Sequence, residues 1–256
     1  MIDISAQLIF VLLSGMCFGS LVTLLSYRLP LEEDVVVKPS RCPKCETKLQ
    51  ARDLIPIFSW VALHGRCRNC LVPISLRYPL TELITTAVFL FLYYKFGLVP
   101  LSIVLAVTWA ALMVMIVVDL EHYIIPDSVH FILIALGIAY HLIVDSPAEA
   151  VADGFIAGGV IGLLLRYGYR IIRKKEGMGL GDVKFLAVAG LWLGVKSLVP
   201  FLFFSGVLGI ITGLIWKALK KGPIFPFAPA LALSFFFCNV FPELCNLFWG
   251  IQEFHN

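Results

Sequence analysis

The run Gly177-Met178-Gly179-Leu180-Gly181-Asp182 places a carboxylate in a turn-like segment between two long apolar stretches. A second carboxylate, Asp119, ends another apolar stretch. An ionisable residue at the edge of a bilayer is costly unless it is paired, hydrated or protonated, so it marks a functional site by default. Two such residues that can meet predict acid/base chemistry within a fold of membrane helices.

The composition predicts a chain whose solvent is lipid. Of its 256 residues, 60% are hydrophobic and only 14% are charged, whereas soluble domains carry about 25% charged residues. The mean hydropathy is +0.93. These values exclude a large soluble domain and predict a polytopic membrane protein with lipid as a partner and without a nucleic-acid partner.

The apolar runs predict an all-α fold with about eight transmembrane helices, since about 20 apolar residues cross a bilayer as a helix. The expected spans are 4–27, 79–95, 98–118, 128–144, 151–172, 183–195, 198–216 and 224–249. Residues 1–27 then form the first transmembrane helix, residues 28–78 a polar loop, and residues 79–256 a multi-helix membrane domain. Four small residues have the spacing that permits close helix packing in lipid: Gly154, Ala157, Gly158 and Gly162.

Basic residues predict the orientation of the chain. The polar loop carries Arg28, Lys38, Arg41, Lys44, Lys48, Arg52, Arg66, Arg68 and Arg77, so the positive-inside rule places it in the cytoplasm and the N-terminus outside. Alternation of the spans then puts Asp145, Glu149 and Asp153 outside and puts Arg170, Arg173, Lys174, Lys175, Lys217, Lys220 and Lys221 inside, with only Lys95 and Lys196 misplaced. Asp119 and Asp182 both fall on the cytoplasmic side, where they can share a site.

Four of the seven cysteines form two Cys-x-x-Cys pairs in the polar loop: Cys42 with Cys45, and Cys67 with Cys70. Four thiolates in this pattern are typical of a structural zinc knuckle, which has no open position for a substrate. A redox pair or free thiols are the alternatives, although a redox role for one pair leaves the other unexplained. A cytoplasmic loop argues against disulfides.

The two aspartates also have purely structural interpretations. Asp119 can pair with His122, and Asp182 can cap the helix that follows it. Against this, Gly177, Gly179 and Gly181 allow the backbone to approach a substrate closely. Two carboxyls held close cannot both ionise readily, so one keeps a proton while the other activates water. That is the chemistry of an aspartic peptidase.

An ordered set of motifs covers nearly the whole chain. It comprises Gly19-Ser20, Arg28-Leu29-Pro30, Ser40-Arg41-Cys42-Pro43, Leu54-Ile55-Pro56, Ser59-Trp60, Gly65-Arg66-Cys67-Arg68, Ile74-Ser75, Arg77-Tyr78-Pro79 with Glu82, Asp119 with Ile125-Pro126-Asp127, and Gly179-x-Gly181-Asp182-x-Lys184. In these motifs the chain resembles the bacterial prepilin leader peptidases, which are membrane aspartic proteases bearing Gly-x-Gly-Asp.

The resemblance implies an enzyme of the bacterial inner membrane that cuts a basic leader from type IV prepilins or type II secretion pseudopilins. It further implies methylation of the new N-terminus with S-adenosylmethionine. Asp119 and Asp182 are then the catalytic pair, and the four cysteines hold zinc. Gly179, Gly181, Lys184, Asp127 and Glu82 are expected to support the site, with Asp127 ranked behind Asp119.

Three departures from the family pattern stand out. Thr23 replaces an asparagine, and Pro226-Phe227-Ala228-Pro229 replaces Pro-Phe-Gly-Pro; neither change is expected to touch the acid pair. Thr86 replaces a glycine next to the cysteine loop, in the region associated with methyl transfer. A transporter that relays protons through the same carboxylates would need inverted repeats, which the sequence lacks, and a scaffold would leave the glycine-rich run without a purpose.

Overall fold

The computed structural model describes residues 4–174, 177–220, 222 and 224–247. Lys175, Lys221 and residues 248–256, which the sequence-based predictions include, lie outside the described residues. Within these ranges the regular elements are helices, with short 3-10 turns at Leu29–Leu31 and Ala51–Asp53. The α-helices are α1 Ile4–Arg28, α2 Phe58–Ala62, α3 Arg77–Phe96, α4 Pro100–His122, α5 Asp127–Ile143, α6 Ala148–Arg173, α7 Leu180–Ala218, α8 Ala228–Val240 and α9 Pro242–Leu247. The all-α prediction is confirmed for the described residues.

The chain forms two compact units, Met1–Val114 and Met115–Asn256. In the first unit, α1 packs closely on α3 because two glycines of α1 leave room for the opposite backbone. A Cβ at Gly19 would lie 2.6 Å from the Cα of Glu82, and one at Gly15 would lie 2.8 Å from the Cα of Thr86. Thr86 therefore lies directly against the α1 glycine face.

In the second unit, α6 and α7 cross at van der Waals distance. Gly154, Gly158 and Gly162 are the buried residues of α6, and a Cβ at Gly158 would lie 2.1 Å from the Leu186 carbonyl oxygen. Gly190 of α7 faces Gly154 at a similarly short distance. The close packing predicted from the spacing of these glycines is confirmed.

Helix α7 is interrupted at Gly194, which has φ +69° and ψ 170°. This backbone conformation suits glycine and breaks the helical hydrogen bonds around it, and His141 Nε2 donates instead to the Leu191 carbonyl oxygen at 2.7 Å. A straight helix would separate Asp182 from Trp216 by about 51 Å at 1.5 Å per residue. Both ends of α7 instead approach the end of α4, because Asp182 acts electrostatically on Asp119 and Trp216 contacts Tyr123, four residues after Asp119. Helix α7 therefore folds back at Gly194, next to the expected boundary between the spans 183–195 and 198–216.

Among the described residues, four helical segments are long and apolar enough to cross a membrane: Ile4–Leu31, Pro100–His122, Ala148–Arg173 and Leu180–Ala218. The expected eight spans are therefore not confirmed. At 1.5 Å per residue, α5 and α8 measure only about 26 and 20 Å, less than the hydrocarbon core of about 30 Å. Helix α3 has 20 residues but carries Arg77, Glu82 and Lys95 and is not among the four.

Candidate active site

Asp119 lies in the last turn of α4 with only 7% of its surface exposed. Its Oδ2 accepts a hydrogen bond of 2.8 Å from the backbone N–H of Ala228, and the backbone of Phe227 contributes a second. These donors are the unpaired N–H groups at the start of α8, where the helix dipole also favours a negative charge. The expectation that the segment 226–229 does not touch the acid pair is wrong, because α8 begins against Asp119.

Asp182 lies in the first turn of α7, which begins at Leu180. Its Oδ2 accepts a hydrogen bond of 3.1 Å from the Gly179 N–H, so it caps the helix as one structural interpretation anticipated. The aspartate therefore belongs to the helix and not to the turn-like run before it. The positive charge of Arg166 also acts on this carboxylate, while its Nη1 donates to the Met178 carbonyl oxygen at 2.9 Å.

The structure brings the two carboxylates together. The negative charge of Asp182 acts on Asp119, and both side chains lie in the second unit. Each is held by backbone N–H groups at the start of a helix. The sharing of a proton between the two carboxyls, which an acid and a base would need, stays a prediction.

The glycines before Asp182 have a packing role. Gly177, Gly179 and Gly181 are not among the residues with positive φ. A Cβ at Gly177 would lie 2.3 Å from the Tyr169 ring, and one at Gly181 would lie 3.0 Å from Ile125 Cβ. Gly177 and Gly181 thus allow the segment that leads into α7 to approach its neighbours closely. Their expected approach to a substrate stays a prediction.

Asp127 forms a salt bridge with Lys184, whose Nζ lies 2.6 Å from Oδ1. This contact gives two expected support residues a defined partner and ties the start of α5 to α7. His130, one turn further along α5, is buried and donates from Nε2 to the Gly181 carbonyl oxygen at 3.0 Å. Asp127 is neutralised by a cation, unlike Asp119, whose hydrogen-bond donors are backbone groups.

The four predicted zinc ligands meet in the first unit. Their Sγ atoms all lie within 4.8 Å of one another, and the Sγ atoms of Cys42 and Cys70 are 3.8 Å apart. Zn–S bonds of about 2.3 Å in a tetrahedron place sulfurs about 3.8 Å apart. The cluster therefore fits a zinc knuckle and can hold one metal ion.

The two halves of this loop have the same backbone arrangement. The N–H of Cys42 donates to the Thr47 carbonyl, and the N–H of Cys67 donates to the Val72 carbonyl. Hydrogen bonding by Thr47 lowers the pKa of Cys45 to about 6, and the Cys70 and Asn69 backbone lowers that of Cys67. The lower pKa values favour the thiolate form, which binds metal, and at neutral pH Cys45 is mainly in this form.

Glu82 is buried in the first unit with 8% of its surface exposed. Its Oε2 accepts a hydrogen bond of 2.7 Å from the Ile57 N–H. Ile57 has φ +61° and ψ −54°, and the Phe58 N–H donates to the Pro56 carbonyl, which makes a γ-turn of the rare, strained hand. Glu82 therefore stabilises the turn before α2, and its part in the active site stays a prediction.

Sequence reasoning missed three groups near the acid pair: the Ala228 N–H, His130 and Arg166. The first is a backbone group that no side-chain pattern reveals, and His130 was hidden within an expected span. Arg166 gave a usable signal, because a cation within the apolar run 151–172 needs a reason.

Apolar helices, two interacting carboxylates at helix ends and a four-cysteine loop define a helical protein of membrane type. Residues 13–96 match the Bacterial Peptidase A24 N-terminal domain, and residues 105–214 match the Type IV leader peptidase family. The chain belongs to the type IV leader peptidase family, which is a family of enzymes. The apolar helices and the family together indicate an integral membrane protein.

Relatives from several bacteria are each named prepilin leader peptidase/N-methyltransferase. That of Neisseria gonorrhoeae is 34% identical over 80% of this chain and 74% of its own length. That of Pectobacterium carotovorum is 30% identical over 91% of each chain, and that of Aeromonas hydrophila is 36% identical over 78% of this chain and 71% of its own. No solved structure matches the chain.

Proposed function

We propose that this protein is an aspartic endopeptidase that removes the basic leader from type IV prepilins or type II secretion pseudopilins at the cytoplasmic face of the bacterial inner membrane. Methylation of the new N-terminus with S-adenosylmethionine follows in this proposal. The observation that carries the peptidase function is the interacting pair Asp119 and Asp182, each held at the start of a helix. The names of the relatives support the substrate class and the second activity.

In the mechanism, the acid pair holds one proton between its two carboxyls. The ionised carboxyl takes a proton from water as the water oxygen attacks the scissile carbonyl carbon, and the protonated carboxyl donates to the carbonyl oxygen. Collapse of the tetrahedral intermediate breaks the C–N bond, and a carboxyl returns a proton to the leaving amine. Backbone donors at Ala228 and Gly179 hold the two carboxyls in place through this cycle.

The four cysteines would hold a structural zinc ion in the cytoplasmic loop. Their spacing fits a closed tetrahedral shell, in which the ion stabilises the loop and has no open position for substrate. S-adenosylmethionine would supply the methyl group. No residue of this chain is assigned to that cofactor, because the described residues show no glycine-rich nucleotide loop, so this activity rests on the relatives' names.

Mass spectrometry of a purified prepilin tests the proposal. Wild-type protein is expected to remove the leader, and a further increment of one methyl group is expected when S-adenosylmethionine is added. Asp119→Asn and Asp182→Asn are expected to leave the prepilin intact, because an amide cannot transfer the proton. An intact prepilin with correctly inserted wild-type protein would overturn the peptidase, whereas cleavage without the methyl increment would overturn only the second activity.

A further inference from the structure

His130 is a buried polar side chain near the acid pair that the proposed mechanism does not use. It lies in the first turn of α5 with 4% of its surface exposed, and its Nε2 lies 3.0 Å from the Gly181 carbonyl oxygen. A carbonyl oxygen only accepts hydrogen bonds, so Nε2 carries the hydrogen and donates it. That carbonyl belongs to the peptide unit that joins Gly181 to Asp182. The hydrogen bond from His130 therefore holds the backbone directly before Asp182.

The segment before Asp182 is one that benefits from an outside anchor. Gly177, Gly179 and Gly181 have no side chains, and glycine loses more conformational freedom on folding than any other residue. The Gly179 N–H donates to Asp182 Oδ2 at 3.1 Å, but this hydrogen bond joins two parts of the same turn. His130 supplies a hydrogen bond from a neighbouring helix, which fixes the turn relative to α5.

Three contacts join this part of α7 to the start of α5 and the segment before it, and they differ in kind. Lys184 pairs with Asp127, but both side chains are more than half exposed, and exposed salt bridges are weak. A Cβ on Gly181 would lie 3.0 Å from Ile125 Cβ, which is an apolar contact without a preferred direction. The hydrogen bond from His130 is both buried and directional. Its other ring nitrogen lies 3.9 Å from Asp127 Oδ1, too far for a hydrogen bond.

We propose that His130 is a positioning residue of the peptidase, an inference that rests on the proposed function. It fixes the peptide unit before Asp182 and so holds the Asp182 carboxyl toward Asp119. Proton transfer requires the reacting groups to lie within hydrogen-bond reach, and a misplacement of about 1 Å can cost about a hundredfold in rate. Loss of the hydrogen bond therefore slows the chemical step and leaves substrate binding unchanged, which predicts a lower kcat at an unchanged KM.

The same helix supplies a matched control. His141 of α5 also bonds through Nε2 to a backbone carbonyl oxygen of α7, that of Leu191, at 2.7 Å. Leu191 lies about 14 Å further along α7 than Asp182, at 1.5 Å per residue. The two histidines thus make the same kind of contact between α5 and α7, and that of His141 lies away from the acid pair.

The test compares His130→Leu, His130→Gln and His141→Leu in detergent micelles with purified prepilin as the substrate. Leucine has no donor, whereas the side-chain amide of glutamine can donate to the same carbonyl oxygen. We expect His130→Leu to lower kcat at least about tenfold with KM changed less than about twofold. His130→Gln should recover kcat to within about threefold of wild type. His141→Leu should lose similar thermal stability, because it also loses one hydrogen bond to α7, but its kcat should stay within about twofold of wild type.

Two results would overturn the proposal while leaving the peptidase standing. The first is an equal effect of His130→Leu and His141→Leu on kcat, which would make His130 a structural contact only. The second is a loss of kcat in His130→Leu that His130→Gln does not recover, because the hydrogen bond would then not be the cause. Wild-type protein that does not cleave prepilin would overturn the peptidase and this role of His130 with it.

Discussion

Two adjacent glycines of α6 offer a sharp test of how the helix crossing holds the acid pair. A Cβ at Gly158 would lie 2.1 Å from the Leu186 carbonyl oxygen, whereas a Cβ at Gly159 would lie 3.5 Å from Ala187 Cβ. Real Cβ atoms essentially never approach another heavy atom closer than 3.0 Å, so the Gly158 distance must grow by about 0.9 Å. The Gly159 distance of 3.5 Å is an ordinary van der Waals contact. Gly158→Ala therefore forces α6 and α7 apart, and Gly159→Ala does not.

The expected magnitude follows from the difference between the two variants. Both gain about 0.5–1 kcal/mol from replacing glycine in a helix, so this effect cancels in the comparison. Overpacking costs about 1–3 kcal/mol, so Gly158→Ala should be less stable than Gly159→Ala by about that amount. Leu186 lies one turn after Asp182 on α7, and a misplacement of about 1 Å can cost about a hundredfold in rate.

Thermal unfolding in detergent micelles and the rate of prepilin cleavage measure the two effects. Gly159→Ala serves as the control at each step, with wild-type stability or better and a wild-type rate. Equal stability and equal cleavage rates for the two variants would falsify the reasoning, because the close crossing would then play no part in positioning Asp182.

Substitutions at three polar residues separate their roles. Asp182→Asn should keep the hydrogen bond from Gly179 but slow cleavage by at least about a hundredfold. Asp182→Ala should also lose cleavage, and its free energy of unfolding should fall by about 1 kcal/mol because the helix cap is removed. Retained cleavage in the asparagine variant would contradict the catalytic role. Asp127→Asn should change the cleavage rate less than about fivefold, since its salt bridge with Lys184 is exposed and such salt bridges contribute about 0–1 kcal/mol to stability. Loss of cleavage in this variant would instead assign Asp127 to the acid pair. Cys42→Ser should lower the zinc content, measured by elemental analysis, well below one ion per chain, and an unchanged content excludes the four-sulfur site.

The sequence predicted the features that depend on residue type and spacing. The cysteine cluster, the glycine face of α6 and the reversal near Gly194 were all visible as patterns, because each depends on local chemistry that neighbouring residues do not override. The number of spans was not predictable in this way. Hydrophobicity identifies apolar runs, but it does not show that α5 and α8 end too early to cross a bilayer alone.

The detailed geometry of the acid pair was also beyond the sequence. The partner of Asp119 is a backbone N–H 109 residues away, at Ala228, and backbone donors leave no trace in side-chain patterns. The motif comparison singled out Ala228 as a departure from the family pattern but gave no reason to place it beside Asp119. The neutralisation of Asp127 by Lys184 likewise needs the three-dimensional approach of α5 to α7.

The partners of the three carboxylates support the proposal that two of them, Asp119 and Asp182, carry the chemistry. The ammonium group of Lys184 binds Asp127 directly and favours its ionised form, which has no proton to donate. Asp119 and Asp182 instead accept hydrogen bonds from helix N-termini, although the positive charge of Arg166 also acts on Asp182. Such donors offset part of the cost of burying a carboxylate without themselves supplying a full positive charge, which is compatible with the proton transfer of the proposed mechanism. In the proposed mechanism, a helix start therefore holds a carboxylate that can exchange protons, whereas direct pairing with a lysine would keep the carboxylate ionised.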